Sequence, residues 1–194
     1  MIYIDDQIDQ LDLHAALDSV SPQRRILALR YRQEHDQRLS LAAYQLLQQA
    51  LRVEYGIDEP PVFEFTPHGK PLLVGHPNIY FNLSHCHEAA ACVVSSVPVG
   101  IDVESLSSYD KDVVKAVMND EEQQIIATSQ DKRLAFIRLW TMKESLLKMT
   151  GEGMVSDMRM ILEQRAAYRF HTTIYPQFVC TVCYYVDNNE ITAP

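Results

Sequence analysis

Ser96-Val97-Pro98-Val99-Gly100-Ile101-Asp102-Val103-Glu104 stands near the middle of a 194-residue chain and separates two stretches with the same order of elements. Pro98 and Gly100 mark a turn, and Val99 to Glu104 alternates as a strand does. On a strand, residues two apart share a face, so Asp102 and Glu104 point together while Ile101 and Val103 face a core. Paired carboxylates repel unless a cation lies between them, and hard oxygen ligands of this kind suit Mg²⁺. Taken alone, Gly100 to Glu104 reads more readily as an exposed strand edge with its acids in water.

Upstream, Ser21-Pro22 is a helix start, serine as N-cap and proline at the first helical position, and predicts a helix over 21–33. A second helix follows with Asp36 as its cap, helical apolar spacing at Leu39, Ala43, Leu46, Leu47, Ala50 and Leu51, and Gly56 at its C-terminal end. Pro60-Pro61 breaks the chain before a short strand at 62–65 and a loop at 66–71 that holds Gly69-Lys70-Pro71; strands at 79–83 and 89–96 come next. Downstream, helices are expected over 110–117, 120–127 and 131–149, the last closed by Gly151. Strands follow at 168–174 and 178–186, with 187–194 as a frayed end. Helices then strands, twice over, predict an α+β protein of two halves, 1–97 and 98–194.

Composition is that of a globular protein, 47% hydrophobic and 22% charged. A chain of this length hides about 70% of the surface its unfolded form exposes, so its core needs no cross-links. The opening Met1-Ile-Tyr-Ile4 meets Asp5-Asp6 with no basic leader, and the longest apolar run, 89–94, is far below membrane-spanning length; both point to a cytoplasmic protein without membrane contact. Cys180 and Cys183 lie three apart on an expected strand, hence on opposite faces, and with Cys86 and Cys92 they read as buried thiols. A net charge of -9 argues against nucleic acid as a partner. The charge is uneven: 21–52 carries six arginines against two acids, and 100–131 eight acids against two lysines. The first segment suits an anion and the second a cation, although solvated helix faces have the same composition.

Two further stretches carry chemistry. In Trp140-Thr-Met-Lys-Glu-Ser-Leu-Leu-Lys148, Glu144 and Lys148 are helical neighbours, giving a third carboxylate with a cation one turn beyond it. As a surface pair they would contribute only about 0.3–0.5 kcal/mol. Phe81-Asn-Leu-Ser-His85 ends a strand in two groups able to donate to an anion, though adjacent residues on an extended chain point apart and form no catalytic dyad.

Taken together and in this order, Gly69-Lys-Pro71, Asn82-Leu-Ser-His85, Gly100-Ile-Asp-Val-Glu104 and Trp140 to Lys148 resemble the signature set of the surfactin-synthetase-type 4'-phosphopantetheinyl transferases. The resemblance spans roughly 21–153, because Ser21-Pro-Gln-Arg-Arg25 through Ser40-Leu-Ala-Ala-Tyr44 is similar to the family's N-terminal helical pair. It implies two similar α+β halves related by a pseudo-twofold axis, with coenzyme A and Mg²⁺ in the cleft between them. It further implies transfer of the phosphopantetheine arm to a serine of an apo acyl or peptidyl carrier protein, with release of 3',5'-ADP.

By that resemblance Asp102, Glu104 and Glu144 are the metal ligands. Ser84 and His85 meet the coenzyme's phosphates, and Arg24, Ser40 and Lys70 surround its 3'-phosphate and adenosine end. Lys148 reaches the diphosphate. Met118-Asn-Asp-Glu-Glu122 falls where the family shows an aromatic residue ahead of a glutamate, so Glu122 is the expected base, with Glu121 beside it as the alternative. Leu27 occupies a position that is basic in some relatives, which leaves Arg25 or Arg30 to supply that charge. A carrier-docking patch is expected within 110–130 around Val113, Val114, Val117 and Met118, residues that suit core packing equally. One chain supplies both halves, which implies a monomer. The rival readings are another Mg²⁺-dependent phosphate-transfer or hydrolysing enzyme, and a non-catalytic coenzyme A or carrier-binding module.

Overall fold

The computed structural model describes residues 1–106, 109–153, 157–163 and 167–185. The expected frayed end at 187–194 lies outside them. Strand β1 (Ile2–Asp5) opens the chain, and a short helix α1 (Leu13–Asp18) follows, capped by the Asp12 carboxylate on two backbone N–H groups. Helix α2 (Pro22–Ala28) is capped by Ser21 as its sequence requires, but it stops five residues short of the expected end. Ile26, Leu27, Leu29 and Tyr31 around that end are exposed, so no packing sustains further turns. Helix α3 (Glu34–Tyr55) starts two residues ahead of Asp36 and ends on Gly56, whose φ of 67° satisfies the left-handed cap.

Strands β2 (Phe63–Phe65) and β3 (Pro71–Leu73) form a hairpin around the Gly69-Lys70 loop. Strands β4 (Tyr80–His85) and β5 (Ala90–Ser95) join β1 in an antiparallel sheet ordered β1-β5-β4. After β6 (Val99–Ser105) come α4 (Lys111–Val117), α5 (Asp120–Thr128) and the long α6 (Lys132–Thr150). Strands β7 (Tyr168–Ile174) and β8 (Phe178–Tyr185) complete a second antiparallel sheet, ordered β6-β8-β7.

Each sheet is backed by a long helix. Leu39, Leu46, Leu47 and Leu51 of α3 pack on Phe81, Cys92 and Val94, while Phe136, Leu146 and Met149 of α6 pack on Val179 and Cys183. The faces turned away from the helices share a third cluster that includes Ala91, Val93, Ile101, Val103 and Val182. Between the sheets, β4 and β6 are joined through side chains: Ile101 N donates to Asn82 Oδ1 at 3.0 Å, and Val103 N to Ser84 Oγ at 3.2 Å. This stitching fixes β4 against β6 where Asp102 stands. All four cysteines are buried and free, and among the described residues no helix is long and apolar enough to cross a membrane.

Candidate active site

Gly100 decides how closely α6 approaches β6. A methyl group at that position would lie 2.0 Å from the Ser145 carbonyl oxygen and 2.6 Å from Met149 N, so the helix can rest on this strand only above a glycine. Glu144 and Lys148 are thereby carried to Asp102. The Lys148 ammonium donates to Asp102 Oδ1 at 2.6 Å and to Ser84 Oγ at 2.8 Å. Ser84 Oγ in turn donates to the same carboxylate oxygen at 3.0 Å. Asp102 is 3% exposed, and its Oδ2 is buried without a hydrogen-bond partner among the described residues.

Burial pushes the Asp102 carboxyl above its ordinary range against the pull of Lys148. Burial raises Glu104 as well, followed by repulsion from Asp102, while Trp140 Nε1 opposes the shift by donating to Glu104 Oε1 at 2.9 Å. Glu144 is raised by burial first and by Asp102 second. The three acids expected as metal ligands therefore share one electrostatic neighbourhood. They are not a ready cage: among the described residues no three His, Cys, Asp or Glu side chains are placed to grip a metal ion. The residues nevertheless fit Mg²⁺ in kind, three hard oxygen donors with a buried carboxylate oxygen left unpaired.

A cavity of about 480 Å³ opens beside this cluster, lined by Lys70, Asn82, Trp140, Glu144, Lys148 and Met158 among others. Lys70 reaches it from the β2–β3 hairpin, and its Nζ donates to the Met149 carbonyl at 2.5 Å, tying the hairpin to the C-terminal turn of α6. Loss of hydration lowers the Lys70 ammonium from its usual value. His85 reaches solvent at the end of β4; partial loss of hydration, then Lys148, disfavour its charged form, with Asp36 opposing.

Arg24 and Ser40 are also brought together, but with each other. The Arg24 guanidinium donates to the Ser40 carbonyl and, at 2.6 Å, to Ser40 Oγ, and it stacks 5.1 Å from the Tyr44 ring centre. Arg24 and Tyr44 border a second, mainly apolar groove of about 430 Å³ that shares Pro71 and Leu83 with the first.

Glu122, the expected base, is buried and held through one carboxylate oxygen, while its Oε1 has no hydrogen-bond partner among the described residues. Its Oε2 accepts from Lys143 Nζ at 2.8 Å and from Asn119 N at 2.9 Å, closing a capping box at the start of α5. It borders another cavity, of about 410 Å³, with Glu121, Glu163, Asn119 and Leu162. Lys143, immediately before Glu144, is fully buried, and besides Glu122 it donates to the Met158 carbonyl at 2.8 Å. Sequence reasoning passed over it, although a lysine four residues after Leu139 and three before Leu146 interrupts an apolar face and signals a buried ion pair. The expected docking patch is also mostly interior: Met118 and Val114 belong to the α6 core, Val117 is partly buried against it, and Val113 stays exposed.

Comparison with known proteins gives a consistent result. The profile of the 4'-phosphopantetheinyl transferase superfamily matches residues 98–190. The 4'-phosphopantetheinyl transferase Sfp of Bacillus subtilis (strain 168) is 28% identical over 156 residues, 79% of this chain and 70% of that protein. The 4'-phosphopantetheinyl transferase psf-1 of Bacillus pumilus is 31% identical over 153 residues, covering 77% of this chain and 66% of its own length. The 4'-phosphopantetheinyl transferase gsp of Aneurinibacillus migulanus is 30% identical over 156 residues, with 79% and 65% covered.

Proposed function

Because this chain belongs to the 4'-phosphopantetheinyl transferase superfamily, we propose that it moves the phosphopantetheine arm of coenzyme A onto a carrier-protein serine where Asp102, Glu104, Glu144 and Lys148 meet. One observation carries this placement, the 2.6 Å contact between Lys148 and the buried Asp102 beside the cavity that Glu144 lines. An ammonium among three carboxylates is the charge set that a diphosphate and its divalent counter-ion require.

Asp102, Glu104 and Glu144 would hold a Mg²⁺ ion, which when bound offsets the charge that builds on the diphosphate during displacement. Lys148 donates to the diphosphate and stabilises the departing phosphate. Ser84 and His85 hold the coenzyme's phosphates at the end of β4. Lys70 places the β2–β3 hairpin over the cavity, and Arg24 with Ser40 offers a guanidinium to the 3'-phosphate end. The serine oxygen attacks the β-phosphorus in line, and the bond to 3',5'-ADP breaks. The hydroxyl proton must pass to a group that faces the cavity. Glu144 lines it and is our acceptor; Glu122, held by Lys143 and its helix cap, acts by fixing α5 against α6.

We read residues 1–97 and 98–194 as two halves related by a pseudo-twofold axis. In support, each pairs a long helix with a three-stranded antiparallel sheet, and the site draws β4 and the hairpin from one and β6 and α6 from the other. A single chain supplies both walls, which supports a monomer acting on coenzyme A and an apo acyl or peptidyl carrier protein.

Incubating the protein with coenzyme A, Mg²⁺ and an apo carrier should add one phosphopantetheine mass to one carrier serine, read by intact mass spectrometry. Removing divalent ions should stop the reaction, and restoring Mg²⁺ should revive it. Asp102→Ala should lower kcat/KM by about a hundredfold or more. Phosphate release without a modified carrier would reject transfer, and full activity of Asp102→Ala would reject the metal site.

A further inference from the structure

Among the described residues, Lys148 is the one cation paired with Asp102. A carboxylate this deeply buried stays ionised only beside a compensating charge, and Lys148 supplies it at Oδ1 while Oδ2 has no partner. The other two lysines near the cluster are engaged elsewhere, Lys70 on the Met149 carbonyl and Lys143 on Glu122. Lys148 differs from them in position. Its side chain is 31% exposed and lines the cavity, so its flexible stem can carry the ammonium from Asp102 to a ligand in that cavity without moving α6.

We propose that Lys148 is a built-in stand-in for the divalent ion: it neutralises Asp102 until coenzyme A arrives, then passes to the diphosphate as the ion takes over the carboxylate. The inference rests on reading Asp102, Glu104 and Glu144 as the metal ligands. An ion approaching Oδ2 alone meets an ammonium already on Oδ1, and like charges oppose its entry. The diphosphate removes that opposition by drawing Lys148 away. Metal and coenzyme A therefore raise each other's affinity through one side chain, and the effect is reciprocal. The free ion is a poor first ligand, and the ion–coenzyme pair is the species the site accepts.

The test uses Mn²⁺ as probe, with the unbound ion measured by electron paramagnetic resonance on the whole protein at pH 8, with and without coenzyme A. Lys148→Met should bind Mn²⁺ alone about tenfold more tightly than the unaltered protein, and the tightening produced by coenzyme A should shrink by a similar factor. Lys148→Gln keeps a stem of similar reach, removes the charge and leaves all three acids; it should tighten binding of Mn²⁺ alone to a similar degree. Lys148→Gln also decides the matter should Lys148→Met not fold. Equal Mn²⁺ affinities with an equal coenzyme A effect in all three proteins would overturn the handover and leave the metal site standing. Undiminished Mn²⁺ binding by Asp102→Asn, or none by any of the proteins, would overturn both.

Discussion

The two helix–sheet units are built alike and spend their long helices differently. Helix α3 buries a nearly uninterrupted apolar face, with Leu39, Leu41, Ala42, Ala43, Leu46, Leu47, Ala50 and Leu51 all within 8% exposure and Ser40 the one polar side chain beside the Tyr44 hydroxyl. Helix α6 buries Thr141, Lys143 and Ser145 among its apolar residues and turns Glu144 and Lys148 to the cavity. The first helix is held by area removed from water, the second partly by paired charge. Hydrophobic burial tolerates substitution in proportion to volume, whereas a buried ion pair fails when either partner is lost. The unit that carries the charges is therefore the more brittle of the two.

The sharpest test sets Lys143→Met in α6 against Leu47→Ala in α3. Removing Lys143 leaves Glu122 charged and buried and should cost about 3–5 kcal/mol in urea denaturation, and Lys143→Met combined with Glu122→Leu should regain most of that loss. Leu47→Ala should cost about 2–5 kcal/mol with no single partner able to restore it. A double variant no better than Lys143→Met alone would break the contrast.

Glycines sharpen it next. Gly100→Ala drives a methyl group into the backbone of α6 and should cost about 3 kcal/mol or more, with loss of transfer because Glu144 and Lys148 move together. Gly56→Ala, at the open end of α3 with φ 67°, meets no atom within 4 Å and should cost only about 1 kcal/mol.

The smallest effect is on pH. Asp102, Glu104 and Glu144 are each harder to ionise in the fold than in the unfolded chain, so the fold binds more protons once pH exceeds their ordinary values of 3.8 and 4.5. Stability should then fall as pH rises through the raised values in the fold. Melting curves from pH 5 to 8 should show that slope, and Glu104→Gln with Glu144→Gln should flatten it. Paired substitutions in α3, which leave all three acids in place, should keep the slope unchanged.

Most elements were legible because local signals agreed with packing. The Ser21 cap, Gly56, Gly151 and the strand expected at Val99 to Glu104 are all present, but that strand is no exposed edge: Asp102 is as buried as its apolar neighbours because β4 and α6 cover it. Strand β1 was missed since four residues that run into the acidic pair Asp5-Asp6 show little alternation, and its pairing with β5 lies about ninety positions away. The three acids could be named because Gly100 to Glu104 and Trp140 to Lys148 resemble the transferase signature; periodicity alone placed only Asp102 with Glu104 and Glu144 with Lys148. What the sequence withheld was which carboxylate is already spoken for. Glu122 looked available until Lys143 was seen beneath it, and Asp102 until Lys148 was found upon it, because both pairings depend on how closely α6 settles on its neighbours.

The burial of every thiol has a consequence for an enzyme whose substrate and product both end in a sulfhydryl. Coenzyme A and the finished carrier each present a free thiol, and any exposed cysteine would invite exchange with their oxidised forms. Here Cys180 and Cys183 are pushed up to about 12 and Cys92 higher still, all by burial, and Cys86 is buried and raised as well. With every thiol buried and its ionisation disfavoured, the protein handles sulfur-tipped arms with little opening for being covalently snared by them.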